Sequence, residues 1–208
     1  QHHGINMSDE FMNIIERCMK DDNADDSFNL INPANGEVVE TVSAKYLWQK
    51  ILDLRMQTGE PYLVFIDTAN KALPSWLQDK GLTINGSNLC TEIFLPTNEN
   101  RTAVCCLSSL NLEYYDEWKK DKQFILDVME MLDNVLQYFI DNAPDSIARA
   151  RASALMERSI GIGTLGFHAF LQKKGVAIDG VMAKSFNNEI FKHIYNQCVI
   201  GDAILVAS

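Results

Sequence analysis

Apolar residues recur at intervals of three and four along much of the chain, which is the spacing of one helix face. The first such stretch follows Ser8, a favoured N-terminal cap, and places on one face Phe11, Ile14, Ile15, Cys18 and Met19. Further helices are predicted from Ser43 to a stop near Gly59, and over 122–142, 148–158, about 164–174 and 180–207. Cys18 is therefore predicted to be a packing residue.

Other stretches have the character of strands. Residues 62–66 form a near-continuous apolar run, which is typical of a strand covered on both faces. Shorter strands are predicted at 28–31, 38–42, 89–95, 102–107 and 160–163, whereas the acidic stretch 21–26 and residues 68–86 are predicted to be loops. Strands that alternate with helices predict an α/β fold with a substantially parallel sheet.

Composition excludes several classes of protein. The chain has 208 residues, is 47% hydrophobic and carries a net charge of −10, so it can bury a core but is not built to grip a nucleic-acid backbone. No apolar run approaches the about 18 residues of a membrane span, and no N-terminal signal is evident, so we expect a cytoplasmic protein without membrane contact. Because it opens on Gln1 and stops in apolar helical sequence, we expect a piece of a longer protein.

Five cysteines, at positions 18, 90, 105, 106 and 198, are an odd number without the spacing of a zinc site. They predict neither a disulfide framework nor a metal centre. For each thiol, the simplest interpretation is that of a small buried apolar residue.

A glycine motif, GxGxxG, spans Gly161 to Gly166. A dinucleotide site would need a strand before this motif, a helix after it and an acidic residue about twenty positions further on. Glu189 has that spacing but lies in helical sequence. Close packing of a strand against a helix is the favoured interpretation, and an oxidoreductase that binds a dinucleotide is an alternative.

The segment Ser87–Ile93 is the strongest candidate for chemistry. In a strand, alternate side chains share a face, which places Asn88, Cys90 and Glu92 together and Leu89 and Thr91 opposite. An edge strand with its polar face in water is the alternative. Since no His or Lys beside Cys90 favours the thiolate, the row suits a thiol that gives up a hydrogen atom while the carboxylate takes a proton from the same substrate.

This motif resembles the Asn-x-Cys-x-Glu active-site sequence of the large, catalytic subunit of ribonucleotide reductase. Residues 59–70, 103–112 and 158–168 resemble other segments of that family in the same order, so the resemblance covers essentially the whole chain. The sequence around Cys90 is similar to that of the aerobic class I enzymes, in which a metal-containing small subunit supplies the radical.

The resemblance implies a fold and a reaction. Residues 1–208 would be the central portion of a ten-stranded α/β barrel, truncated at both ends, that reduces ribonucleoside diphosphates to deoxyribonucleotides for DNA synthesis. Cys90 would be the transient thiyl radical and Glu92 the base for the 3′ hydroxyl. Asn88 would bind the substrate and assist the same proton transfer, with Leu89 and Thr91 also at the substrate. Cys105 would be one of two thiols that end as a disulfide, and Cys106 is the alternative.

It also implies what lies elsewhere. The partner thiol is expected before Gln1, and the phosphate loop, the radical-relay tyrosines and a mobile cysteine pair after Ser208. The piece would bind no cofactor and be inactive alone, with ATP and dATP effector sites on other parts. Expected partners are the small subunit, thioredoxin or glutaredoxin, and a second large subunit.

Two other groups have simpler interpretations. His168 and His193 lie in helical sequence and are predicted to be surface or hydrogen-bonded residues, and Arg149, Arg151 and Arg158 to form a solvated helix face. A non-catalytic binding module that keeps this barrel segment is the rival function.

Overall fold

The computed structural model describes residues 3–207, which form two compact units, residues 3–100 and 101–207. The elements of the first unit are β1 Gly4–Met7, α1 Asp9–Lys20, β2 Ser27–Ile31, β3 Val38–Ser43, α2 Ala44–Thr58, β4 Tyr62–Phe65, α3 Ile66–Ala72 and α4 Ser75–Gln78. Those of the second are β5 Leu107–Asn111, α5 Tyr115–Trp118, α6 Phe124–Asn142, α7 Ala148–Glu157, β6 Gly161–Leu165, α8 Phe167–Lys173 and α9 Val181–Ala207, with short 3₁₀ turns at Leu112–Tyr114 and Asp145–Ile147.

The helix ends of the first unit follow local sequence chemistry. The Ser8 hydroxyl accepts a hydrogen bond from the Phe11 N–H (3.2 Å), and the Ser43 hydroxyl accepts one from the Tyr46 N–H (3.1 Å). Gly59 ends α2 in the left-handed conformation, with φ of 80°. Each serine cap is worth about 1 kcal/mol. These predicted boundaries are confirmed.

Packing in the first unit places α1 over the strands. Its apolar face buries four residues of the predicted stripe, Phe11, Ile14, Ile15 and Cys18 (3% exposed), together with Met7 and Ala44. Met19, the fifth residue of that stripe, is 81% exposed, so its predicted burial is wrong. Strands β1 and β4 pair in parallel from Gly4↔Tyr62 to Met7↔Phe65. The two strands predicted at 28–31 and 38–42 form β2 and β3, which pair as an antiparallel hairpin. The packing role of Cys18 is confirmed.

The second unit pairs β5 and β6 in parallel, from Leu107↔Gly161 to Asn111↔Leu165. Its core takes side chains from the strand, the turn after it and four helices: Leu110, Leu112, Tyr115, Ile125, Met129, Phe170, Leu171, Ala183, Ile190 and Ile194. Parallel pairs joined through helices confirm the predicted α/β class.

The glycine motif has a packing role. Gly161 and Gly163 lie inside β6 rather than in a loop after it, so no backbone turn is formed that could cradle a pyrophosphate. A side chain at Gly161 would collide with Leu107 on β5, and Gly166 enters α8 with φ of 76°. The close-packing interpretation is confirmed, and the alternative of a dinucleotide site is wrong.

Two predicted strands and one predicted loop differ from the structure. Residues 89–95 form a turn and irregular chain instead of a strand, because their apolar side chains Ile93, Phe94 and Leu95 are half-buried against the unit without pairing to another strand. The strand predicted at 102–107 begins at Leu107, where the partner β6 begins. Helices α3 and α4 occupy part of the predicted loop 68–86, and β1 was not predicted.

Two features are absent from residues 3–207. Within that range, no helix is both long and apolar enough to cross a membrane. Nor does the described part of the chain bring three or more His, Cys, Asp or Glu side chains together in a group that could hold a metal ion.

Candidate active site

Asn88 and Glu92 clasp each other across a tight turn that carries Cys90 at its tip. The Asn88 amide nitrogen donates to a Glu92 carboxylate oxygen (2.7 Å), while its amide oxygen accepts from the backbone N–H groups of Glu92 (3.2 Å) and Ile93 (3.0 Å). The Asn88 carbonyl accepts from the Thr91 N–H (3.1 Å), which closes the turn. The three predicted residues are brought together by a turn, and the prediction of one shared strand face is wrong.

The turn presents the thiol to its surroundings. Cys90 and Glu92 are exposed, and Asn88 is half-buried. Thr91, between the thiol and the carboxylate, has φ of 62°, the left-handed region that L-residues with branched side chains avoid. Since an amide already aligns the carboxylate, the arrangement can bind a hydroxyl group and accept its proton beside a sulfur atom.

A cleft of about 440 Å³ lies between this turn and one face of the β1–β4 pair. Gly4, Asn6, Tyr62 and Val64 supply the strand face, because alternate residues of each strand point the same way. Residues 86–89 and 91 supply the other wall, so three predicted substrate-binding residues, Asn88, Leu89 and Thr91, line the cleft. Cys90 and Glu92 stand beside the cleft on the same turn.

Cys105 and Cys106 differ in their surroundings. Cys105 is exposed, whereas the Cys106 thiol is half-buried and donates a hydrogen bond to the Leu132 carbonyl on α6 (3.4 Å). The Cys106 carbonyl accepts from the Gly161 N–H (2.9 Å). Burial raises the pKa of the Cys106 thiol, and the neighbouring Cys105 and Asp133 raise that pKa further. Both residues lie in irregular chain before β5, so the expectation that they sit on a strand is wrong.

The segment Arg101–Cys106 is fastened to α7 as well. Arg101 forms an ion pair with Glu157 (2.5 Å), and the two side chains are only 17% and 11% exposed. The Thr102 N–H donates to the hydroxyl of Ser153 (3.0 Å), a residue that is 1% exposed. These anchors leave no signal in the local sequence, because the partners lie about fifty positions away along the chain.

The remaining candidates are structural. His168 is exposed on α8, and a ring nitrogen of His193 lies 3.2 Å from the Tyr115 hydroxyl, as the simpler interpretation predicted. Arg158 does not fit its predicted solvated helix face. It ends α7 with φ of 43° and binds both carboxylate oxygens of Asp133 (2.9 and 2.7 Å) and the Gln137 side chain (2.7 Å) on α6.

Comparison with known proteins identifies relatives of the chain. Residues 2–200 match the family model of the ribonucleotide reductase barrel domain. The large subunit of ribonucleoside-diphosphate reductase from Invertebrate iridescent virus 3 is 55% identical over 167 residues, which is 80% of this chain and 26% of that protein. The same subunit of Invertebrate iridescent virus 6 is 63% identical over 102 residues, 49% of this chain and 11% of that protein.

A solved structure agrees with these relatives. The alpha subunit of the Actinobacillus ureae class Id ribonucleotide reductase superposes with a TM-score of 0.83 at 32% identity, over 99% of this chain and 36% of that one. The chain thus spans 26% of the length of the first relative and about a third of the solved subunit. The predicted fold, a portion of an α/β barrel, is confirmed, and the chain belongs to the ribonucleotide reductase barrel-domain family.

Proposed function

We propose that this chain is the segment of a ribonucleoside-diphosphate reductase large subunit that carries the radical cysteine and one reducing thiol. The observation that carries the proposal is the clasp between Asn88 and Glu92 around an exposed Cys90. The sulfur, the carboxylate and the amide lie on one turn, and the adjacent cleft, which Asn88 lines, offers room for a small substrate. Membership of the barrel-domain family supports the same reaction.

In the first step, the Cys90 thiyl radical takes the 3′ hydrogen atom of the ribose, so a C–H bond breaks and an S–H bond forms. Glu92 accepts the proton of the 3′ hydroxyl. The Asn88 amide donates to Glu92 and thereby fixes the carboxylate that receives this proton. The radical that begins the cycle comes from the metal-containing small subunit.

In the second step, the 2′ hydroxyl leaves as water, and two thiols supply the two electrons and two protons for its replacement by hydrogen. Cys105 is one of these thiols, and the other belongs to a part of the protein outside this chain. The two sulfurs end as a disulfide, and Cys90 returns its hydrogen atom to C3′, which regenerates the thiyl radical. Glu92 returns its proton to the 3′ oxygen. The net change is one ribonucleotide reduced, one water released and one disulfide formed.

Cys105, and not Cys106, fits the reducing role. Exchange and reduction need an accessible sulfur, and Cys105 is the exposed member of the pair. The Cys106 thiol is engaged with the Leu132 carbonyl, and its raised pKa disfavours the thiolate.

The same proposal assigns partners. They are a ribonucleoside diphosphate, the small subunit, thioredoxin or glutaredoxin, and a second large subunit. The segment itself binds no cofactor, the ATP and dATP effectors act at other parts of the large subunit, and the enzyme is cytoplasmic. A non-catalytic module is the second candidate, and it predicts no reductase activity in the complete protein.

The decisive test replaces Cys90 with serine in the complete large subunit, assayed with its small subunit and a dithiol reductant. Cys90→Ser keeps the size of the side chain but cannot form a thiyl radical, so deoxyribonucleotide formation falls to background. Cys198→Ser is the matched control, since Cys198 is a half-buried thiol on α9, and it keeps its activity. Substantial turnover by Cys90→Ser would sink the radical assignment.

A further inference from the structure

The turn that carries Cys90 belongs to a longer loop without regular secondary structure. The Thr97 N–H donates to the Thr83 carbonyl (3.3 Å), and the Asn85 side chain donates to the Thr97 carbonyl (2.5 Å). The two ends of the loop are therefore close together, as in an Ω-loop. Since no strand ladder fixes this loop, side chains must set its position.

Asn70, on α3, makes the strongest attachment to the base of the loop. Its amide nitrogen donates to the carbonyls of Ile84 (2.9 Å) and Ile66 (3.0 Å), and its amide oxygen accepts from the Ile84 N–H (2.8 Å). The amide thus pairs with Ile84 in both directions, as a neighbouring strand would. A side-chain amide provides this combination of donor and acceptor, whereas a carboxylate lacks the donor.

Burial and a second contact strengthen this attachment. Ile84 is 3% exposed and Asn70 is half-buried, so the hydrogen bonds between them are partly shielded from water. One residue further on, the Asn85 carbonyl accepts from the side chain of Asn6 on β1 (2.9 Å). The base of the loop is therefore tied both to a helix and to the β1–β4 pair, only a few residues before Asn88.

We propose that Asn70 is a positioning residue for Cys90. This inference rests on the proposed function, since it concerns the placement of the reacting sulfur. A displacement of about 1 Å in a reacting group can cost on the order of a hundred-fold in rate. Asn70 itself does not touch the reacting atoms. It holds the backbone from which the Cys90 turn projects, with Asn6 as a weaker second support.

The test compares Asn70→Asp with Asn98→Asp in the complete large subunit with its small subunit. Both substitutions exchange an amide for a carboxylate in the same unit, but Asn98 is exposed and its side-chain oxygen accepts from the Asn100 N–H, a bond that a carboxylate keeps. Three quantities are measured: kcat, Tm, and the rate at which iodoacetamide alkylates Cys90, read by peptide mass spectrometry with Cys105 as the internal reference.

For Asn70→Asp, we expect kcat to fall by about ten- to a hundred-fold and the alkylation rate of Cys90 to change several-fold, while that of Cys105 stays the same. A kcat within about two-fold of the Asn98→Asp value, or an unchanged alkylation rate of Cys90, would overturn the inference. A purely structural role would lower Tm without changing kcat per folded molecule, and that result also overturns it.

Asn6→Ala is a second, milder variant in case Asn70→Asp does not fold. It removes one exposed hydrogen bond, so we expect a smaller fall in kcat and a smaller change in the alkylation of Cys90. Values equal to those of Asn98→Asp would count against the inference. The Cys90→Ser variant separates the two proposals. Its full activity would refute the radical role of Cys90, while the alkylation rate of Cys90 in the Asn70→Asp variant would still report on the Asn70 attachment.

Discussion

The segments that carry Cys90 and Cys105 are held in place by different kinds of contact. Both present an exposed thiol from irregular chain. The Cys90 loop is held by neutral amide side chains, chiefly Asn70, at its base. The Cys105 segment is held by a shielded ion pair and a buried hydroxyl, and it runs directly into the parallel pair β5–β6.

The backbones near the two thiols are held in place by different kinds of contact. Cys105 is two residues from β5, so strand register and helix contacts fix its backbone on both sides. The loop that carries Cys90 pairs with no strand of the described chain, and its base is held chiefly by hydrogen bonds to side-chain amides. The first arrangement should be sensitive to loss of charge, and the second to loss of an amide donor.

The largest effect on turnover is expected when the two adjacent thiols, Cys105 and Cys106, are replaced one at a time. In the complete enzyme, Cys105→Ser should allow radical initiation but stop multiple turnover, because one reducing sulfur is missing. Cys106→Ser should keep most of the activity, since a hydroxyl can still donate to the Leu132 carbonyl. Product formed per active site, with a dithiol reductant present, measures both. The opposite pattern would assign the redox role to Cys106.

A smaller effect is expected from Glu157→Gln, which leaves the shielded Arg101 without its carboxylate partner. Loss of one member of such a pair should cost about 2 kcal/mol of local stability, or roughly a thirty-fold faster exchange of the Thr102 amide hydrogen. Hydrogen-exchange mass spectrometry of residues 101–106 measures this rate. Glu130→Gln, at an exposed position of α6, is the control. Equal exchange in the two variants would show that the ion pair does not hold the segment.

The smallest effect concerns the titration of Cys106. Because its pKa is raised in the folded protein, this thiol remains protonated at a pH where an ordinary cysteine ionises. Near pH 8, iodoacetamide should therefore label Cys105 faster than Cys106. The ratio of the two labelling rates should fall as the pH rises. Peptide mass spectrometry after timed labelling gives both rates. Equal rates throughout would contradict the division into a free and an anchored thiol.

The same pKa shift has a consequence for stability. The folded state keeps the Cys106 proton more tightly than the unfolded chain does, so the stability that this provides is complete below the ordinary thiol pKa of 9.0. It is lost as the pH rises through the higher folded value. Cys106→Ser should remove this alkaline part of the pH dependence.

Local patterns predicted much of the fold. The stripe on α1, the serine caps of α1 and α2, the hairpin β2–β3 and the long helix α6 all depend on residues within a few positions of one another. The local spacing of residue types is therefore enough to predict these elements. The order of strands and helices likewise predicted parallel pairing, since a parallel pair requires a crossover.

The candidate site was predicted in its residues but not in its shape. Asn88, Cys90 and Glu92 were found from their spacing, which a strand and this turn share. The base of the loop that carries the turn is tied to Asn70 and Asn6, which lie far away in sequence. Residues 89–95 alternate like a strand, but no strand pairs with them. Likewise, Leu132 and Gly161 distinguish Cys106 from Cys105, and neither is visible in the local sequence.

The left-handed backbone of Thr91 limits how far the five-residue motif can be transplanted. A branched residue at φ of 62° costs on the order of 1–3 kcal/mol, which a short peptide of the same sequence cannot recover. The five-residue sequence alone is thus not expected to keep this conformation in another protein. A designer who grafts Asn-Leu-Cys-Thr-Glu onto another scaffold must also build the anchoring amides beneath it, or replace Thr91 with glycine and accept a looser turn.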